Sequence, residues 1–337
     1  MAIIGRAMVL ESAVAGVPTL KEIEFAPPGP GEVVVNVKAA ALNHRDVWIA
    51  KGKYADIRLP CVPGSDGAGV VDAVGEGVDG KWIGRKVIVN PCLGWGANPE
   101  APATGWRILG MPDPGTFADY VKAPVENLAP MPEVLSFEEA AALPLAGLTA
   151  YRALFTRGRL QSGEKLLVTG VGGGVAQFLM QFGLATGAAV FATSGSAEKL
   201  KRALEAGASG GANYKEEGWE KALLQAGGPF DLIVDSAGGS GFGKLLDIAR
   251  PGGRVVFFGA TAGNPPEMPQ RKVFWKQLSL LGTTMGSPQD FAIMAKLVEA
   301  KGLKPAIDRV YPMEQAADAF RRLDAGEQYG KIVLKMD

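Results

Sequence analysis

Apolar and polar positions change rhythm along the chain. From residue 160 to about 285, short apolar runs alternate with stretches whose apolar residues recur at helical spacing. The strand candidates are Lys165–Thr169, Ala188–Thr193, Phe230–Asp235, Arg254–Phe258 and Leu278–Gly282. Helices are predicted between them at Val175–Thr186, Ala197–Glu205, Trp219–Gln225 and Phe242–Arg250, the last stopped by Pro251-Gly252-Gly253. Strands alternating with amphipathic helices predict a parallel sheet covered on both faces.

Residues 1–125 have a different pattern. Val33–Val37, Gly69–Val74 and Arg85–Asn90 are strand-like, and turns such as Pro27-Pro-Gly-Pro-Gly31 separate them. A β-rich barrel or sandwich is expected there. Ser136-Phe-Glu-Glu139 is a capping box, expected to open the entry to the α/β half. After residue 287 the pattern predicts a helix at Gln289–Ala300, a strand near Ala306–Tyr311, a helix at Glu314–Asp324 and a strand at Lys331–Lys335. Two domains follow: a β-rich one over residues 1–125, completed by 286–337, and an α/β one over 126–285.

No charged residue falls between Lys165 and Glu198, a length that could cross a bilayer. The glycines inside it, and its division into strand, turn, helix and strand, instead fit a βαβ unit buried on both sheet faces. The first residues, Met1 to Ala7, are too short and too early in charge to be expected as a signal peptide.

Composition narrows the function. The 337 residues carry 35 basic and 35 acidic side chains, so bulk charge gives no attraction to nucleic acid or an anionic membrane. Two cysteines cannot build a disulfide framework, which points to a reduced, cytoplasmic protein. One histidine and two cysteines leave few nitrogen or sulfur ligands for a transition metal.

The segment Thr169-Gly-Val-Gly-Gly-Gly-Val-Ala176 follows a predicted strand and opens a predicted helix. Such glycines admit a tight turn and bring backbone N–H groups toward a pyrophosphate. A G-x-G-x-x-G frame from Gly170 ends on Val175, whereas Gly170, Gly173 and Ala176 put small residues at every third position. Within alternating strands and helices, the cluster predicts dinucleotide binding. An NAD site usually has an acid about 20 residues on. Here Ser194-Gly-Ser-Ala-Glu-Lys199 delays the first acid into the next helix, and small hydroxyls followed by Lys199 favour the 2′-phosphate of NADP. Lys199 and Lys201 also suit a solvated helix face.

Ala40-Ala-Leu-Asn-His-Arg-Asp46, Pro63-Gly-Ser-Asp-Gly-Ala-Gly69, Val74-Gly-Glu-Gly-Val78, Gly115-Thr-Phe-Ala-Asp-Tyr120, Leu145-Ala-Gly-Leu-Thr-Ala-Tyr151 and Gly330-Lys-Ile-Val333 extend the evidence over nearly the whole chain. With them, the sequence resembles the medium-chain dehydrogenase/reductase superfamily. The resemblance implies a GroES-like β domain, a Rossmann doubly wound parallel sheet and a cofactor cleft where they meet. In zinc-binding members, metal ligands stand at the positions of Asn43, Ser65 and, by spacing, near Leu145. The stretch from Asn90 to Asp113, where those members often carry four cysteines, holds only Cys92. No metal site is therefore expected, and the chain resembles the zinc-free branch of quinone oxidoreductases, zeta-crystallin-like proteins and enoyl reductases.

That branch implies NADP(H) contacts at Asn43 and Thr149 toward the nicotinamide and its ribose. Gly170, Gly173, Gly174 and Val175 fall at the pyrophosphate, with Lys331 reaching the same phosphates. Ser194, Lys199 and Tyr214 fall at the 2′-phosphate, and Ser236, Ala237, Phe258 and Gly259 beside the nicotinamide. Tyr214 also fits an ordinary half-buried strand aromatic. Hydride delivery to a carbonyl, enone or quinone leaves negative charge on oxygen, which a metal-free site must meet with a donor or acid. Tyr54 is the candidate acid and Asn43 the amide donor. Tyr54 equally fits a loop aromatic, and Asn43 with Asp46 fits the N-cap and N3 of a short helix. His44 is read as a surface or phosphate-side residue, and Cys61 and Cys92 as packing residues. The expected activity is NADPH-dependent reduction of quinones or activated C=C bonds of a small molecule by a homodimer. The alternatives are a zinc-free alcohol or aldehyde dehydrogenase and an NADPH-binding, crystallin-like protein without turnover.

Overall fold

The computed structural model describes residues 3–13 and 16–336; Met1 and Ala2, at the head of the segment considered as a signal peptide, lie outside them. The chain forms two compact units, one of residues 1–148 and 286–337, the other of 149–285. The expected break at 125/126 moves to Leu148/Thr149. The Ser136 capping box does form, Ser136 Oγ accepting from the Glu139 N–H and the Glu139 carboxylate from the Ser136 N–H, but its helix, Phe137–Ala141, belongs to the first unit.

The first unit is built on the ten-residue strand Glu32–Ala41, whose VVV run is buried on both faces. It pairs antiparallel with Asp66–Val74 along one edge, and with Tyr120–Pro124 and Lys331–Lys335 along the other. Lys86–Val89 and Leu128–Pro130 extend the sheet on one side, and Ile307–Pro312 extends it on the other by pairing parallel with Lys331–Lys335. The core gathers Val33, Val35, Val37, Phe117, Phe320 and Leu334, with Phe117 edge-on to Phe320. Register places the polar residues: Ala41 faces both Asp66 and Val333, so Asn43, two residues on, comes opposite Lys331.

The second unit is a six-stranded, wholly parallel sheet. Its spatial order is Gly210–Asn213, Ala189–Ser194, Lys165–Val168, Phe230–Asp235, Ala249–Phe257, Ser279–Gly282. In chain order within the unit this is 3-2-1-4-5-6, the doubly wound arrangement that places ligands beyond the carboxyl ends of the strands where the order reverses. Helices Gly174–Thr186, Ala197–Glu205, Trp219–Ala226 and Phe242–Ile248 connect the strands.

Two expectations change here. Gly210–Asn213 was not foreseen as a strand. It forms because Gly210 packs against the ring of Phe191 and Gly211 against the neighbouring backbone, where larger side chains would collide. The helix expected to reach Arg250 ends at Ile248, and Pro251-Gly252-Gly253 lies inside the next strand, at a register break rather than as a helix stop. Among the described residues, no helix is long and apolar enough to cross a membrane.

Candidate active site

In the first unit, four polar side chains meet where the Lys331–Lys335 and Asp66–Val74 strands flank the end of Glu32–Ala41. The Lys331 ammonium donates to Leu42 O at 2.7 Å, Asn43 Oδ1 at 2.7 Å and Asp66 Oδ2 at 2.8 Å. Asn43 Nδ2 donates to the same Asp66 oxygen at 2.9 Å, and Asp66 Oδ1 accepts the Leu145 N–H at 2.7 Å. The Lys331 and Asp66 side chains are 3% and 0% exposed, so each buried charge depends on the other and on its hydrogen bonds. Asn43 caps the helix His44–Ala50, and its N–H donates to Asp46 Oδ2 at 2.8 Å. Burial pushes the Asp46 carboxyl up to about 6, against the opposing pull of Arg45, the Asn43 N–H and Lys331.

Lys331, expected at the cofactor phosphates, is engaged here with Leu42, Asn43 and Asp66. An ammonium has three hydrogens, and all three are bound inside this network. Its partners are 265 to 289 residues away in sequence, so no local motif reveals them. The signal that was available is a lysine opening a buried apolar strand, directly after Gly330.

A second cluster lies two residues along from Asn43. Arg45 is buried and donates to Ser65 Oγ at 2.7 Å, Leu109 O at 3.0 Å and Met111 O at 3.2 Å, and Ser65 Oγ donates to Leu109 O. The same guanidinium lies 5.2 Å from the centre of the partly buried Tyr54 ring. Tyr54 thus rests on the residue two after Asn43. His44 is exposed at the helix start. Cys61 and Cys92 are buried, and burial pushes the Cys61 thiol up to about 11.

The donors at the three metal-ligand positions do not fit a tetrahedral zinc. They are an amide held by Lys331 and Asp66, a hydroxyl held by Arg45 and Leu109 O, and a leucine that contributes its backbone N–H. Among the described residues, no group of three or more His, Cys, Asp or Glu could hold a metal ion.

In the second unit, the glycine turn suits a pyrophosphate. Gly170 adopts φ +64° with open space where a Cβ would stand, and Gly173 is the N-cap of the 13-residue helix Gly174–Thr186 without a side-chain cap. The first N–H groups of that helix, Gly174 and Val175 among them, have no intrahelical acceptor and sit at the positive end of the dipole. The Gln177 amide, absent from the expected set, donates to Val171 O and braces the turn. Thr169 Oγ1 donates to Asp235 Oδ1 at 2.7 Å and Gly238 N–H to Asp235 Oδ2 at 2.8 Å, joining two strand ends at the switch point. Ser236, Ala237, Phe258 and Gly259 follow those ends. Ala262 N–H donates to Ala237 O, and a Cβ on Gly259 would stand 2.9 Å from Ser236 O. Thr149 is buried in helix Pro144–Tyr151.

Ser194, Lys199 and Tyr214 come together around the end of the Ala189–Ser194 strand. Ser194 Oγ accepts the Ser196 N–H, and Ser194 O accepts the Tyr214 N–H. A Cβ on Gly172 would stand 2.6 Å from Lys199 Cδ, and one on Gly195 would meet the Tyr214 hydroxyl and Lys215 Cε, each at 2.8 Å. Lys215 adds a second cation unforeseen in the sequence. Tyr214, 48% exposed, lies in the turn just after the Gly210–Asn213 strand and so is not a strand aromatic.

Comparison with known proteins extends across the chain. The alcohol dehydrogenase GroES-like domain matches residues 29–133, and the zinc-binding dehydrogenase family matches 174–300. The chain is 36% identical over 329 residues to the zinc-type alcohol dehydrogenase-like protein YogA of Leptosphaeria maculans, covering 92% of each. It is 31% identical to the quinone oxidoreductase of Mus musculus, covering 91% of this chain and 90% of that one. A solved NAD-dependent alcohol dehydrogenase superposes with a TM-score of 0.92 at 39% identity, over 98% of this chain and 100% of its own.

Proposed function

From the premise that the chain belongs to the medium-chain dehydrogenase/reductase superfamily and is an oxidoreductase, we propose that it is an NADPH-dependent, zinc-independent reductase of quinones or activated C=C bonds. The observation that carries this reading is the buried Lys331–Asp66–Asn43 network, which includes the first metal-ligand position of zinc-binding members, with no group of three or more His, Cys, Asp or Glu able to hold a metal among the described residues.

The bound nicotinamide cofactor supplies a hydride; the chain's own residues do the rest. Asn43 offers an amide N–H to the substrate oxygen that gains charge, and Tyr54 supplies a hydroxyl proton. The glycine turn from Gly170 to Val175 receives the pyrophosphate. Ser194, Lys199 and Tyr214, joined by Lys215, receive the 2′-phosphate, and the strand that carries Ser194 ends without an acid. The preference for NADPH rests on these residues and differs from the NAD named for one solved relative. The edge strand Ser279–Gly282, preceded by the exposed Phe274 and Trp275, supports a homodimer, and two buried thiols suit a cytoplasmic setting.

The test is NADPH oxidation with a quinone or an enone in the presence of a strong chelator. Undiminished turnover is the expected result, and strict dependence on added zinc would refute the mechanism. The names of two relatives favour an alcohol or aldehyde dehydrogenase as the second reading. Saturated aldehydes separate it, since only that enzyme turns them over. NADPH binding with no turnover of any of these substrates would favour a crystallin-like role.

A further inference from the structure

The amide of Asn43 has one Nδ2 hydrogen on Asp66 and its oxygen on Lys331. The reverse orientation would set the NH2 group against an ammonium and the carbonyl against a carboxylate, donor facing donor and acceptor facing acceptor. The two charges therefore allow one orientation only. Asp66 is itself fixed through its other oxygen by the Leu145 N–H, and Lys331 by Leu42 O. In that orientation the second Nδ2 hydrogen has no acceptor among the described residues, and Asn43 retains 9% exposure. A cation on the amide oxygen draws electron density from nitrogen, which makes the remaining N–H a stronger donor.

We propose that Lys331 and Asp66 are positioning residues that lock the Asn43 carboxamide so that its second N–H is presented to the substrate oxygen. This rests on the reading of Asn43 as the substrate-side donor. The network retains a buried cation where zinc-binding members hold theirs, but this cation acts on the substrate through an amide and touches nothing outside the protein. It also accounts for an acid and a lysine kept wholly buried in a position that holds no metal ligands.

The test pairs nuclear magnetic resonance with a double-variant comparison. In protein labelled with 15N asparagine, the Asn43 side-chain pair is assigned by its disappearance in Asn43→Ala. Its two hydrogens should be widely separated in shift and slow to exchange with solvent in the parent protein and in Lys331→Arg, and in Lys331→Gln should return to the shift separation and fast exchange of a free asparagine amide. In kinetics, Asn43→Ala and Lys331→Gln should each lower kcat roughly 100-fold, as expected for one preorganised donor. The double variant should fall no further. If Lys331→Gln does not fold, Asp66→Asn replaces it with the same expectations. Unchanged Asn43 resonances in the charge-removing variant, or multiplicative kcat losses in the double variant, would overturn the proposal. Absence of quinone and enone turnover in the parent protein would instead refute the functional reading, with the resonance measurement still deciding the orientation lock.

Discussion

Lys199 lies across the bare Cα of Gly172, so close that a Cβ there would stand 2.6 Å from the lysine Cδ. The glycine turn and the first turn of helix Ala197–Glu205 are thereby joined by one cationic side chain, beside the end of the strand that carries Ser194. Lys199→Ala should raise the KM for NADPH roughly tenfold or more, the loss expected for one hydrogen bond to a charged group, and leave the KM for NADH unchanged. Steady-state kinetics with both cofactors decide it, and equal effects on the two would count against a 2′-phosphate contact.

Tyr54 packs on the Arg45 guanidinium, and its hydroxyl is the proposed proton source. Tyr54→Phe keeps the ring and the stacking but removes the proton. Turnover of enones should fall roughly 100-fold, the lower range for a positioned general acid. Unchanged kcat in stopped-flow assays would return Tyr54 to the role of a loop aromatic.

The Asp46 carboxyl has a folded-state value of about 6 against an ordinary 3.8, because burial outweighs the favourable charges around it. An acid raised on folding destabilises the native state where it is ionised. The penalty is complete above the folded value and disappears as pH falls toward the unfolded one. Asp46→Asn removes the ionisation and keeps an oxygen for the Asn43 N–H. It should be more stable than the parent by a few kcal/mol at about pH 8, with the difference gone near about pH 4. Thermal melts of both proteins across that range provide the measurement, and a constant difference would refute it.

Removing the Lys331 charge leaves Asp66 buried without its counter-ion. Lys331→Met should destabilise the first unit by about 3–5 kcal/mol, whereas Lys331→Arg should lose less. Urea titrations followed by circular dichroism distinguish the two. Near-equal losses would mean that the pair contributes packing and little electrostatics.

The parts of this fold visible in the sequence are those with a local cause. Helix Ala197–Glu205 has its polar face and Ser196 cap within ten residues, and Lys331–Lys335 has an apolar run, so both fall where the pattern sets them. Gly210–Asn213 has no β-branched residue and becomes a strand only through its neighbour, a tertiary cause invisible to periodicity. The same division holds at the site. The glycine turn is local and legible, and Asn43 with Asp46 forms the short helix cap its spacing suggests. Arg45 with Ser65, and Lys331 with Asp66, depend on register between distant strands, so their roles emerge only once the sheet is assembled.

The Lys331–Asp66 pair also bears on the order in which the protein is made. Asp66 leaves the ribosome 265 residues before its counter-ion. In that interval the whole of residues 149–285, with its own core, becomes available to fold. The first unit, by contrast, waits with the Ala39–Ala41 part of its central strand unpaired on one edge and an acid uncompensated. Synthesis of the Lys331–Lys335 strand closes that edge and delivers the charge together, so the candidate active site comes into being only as the last strand docks.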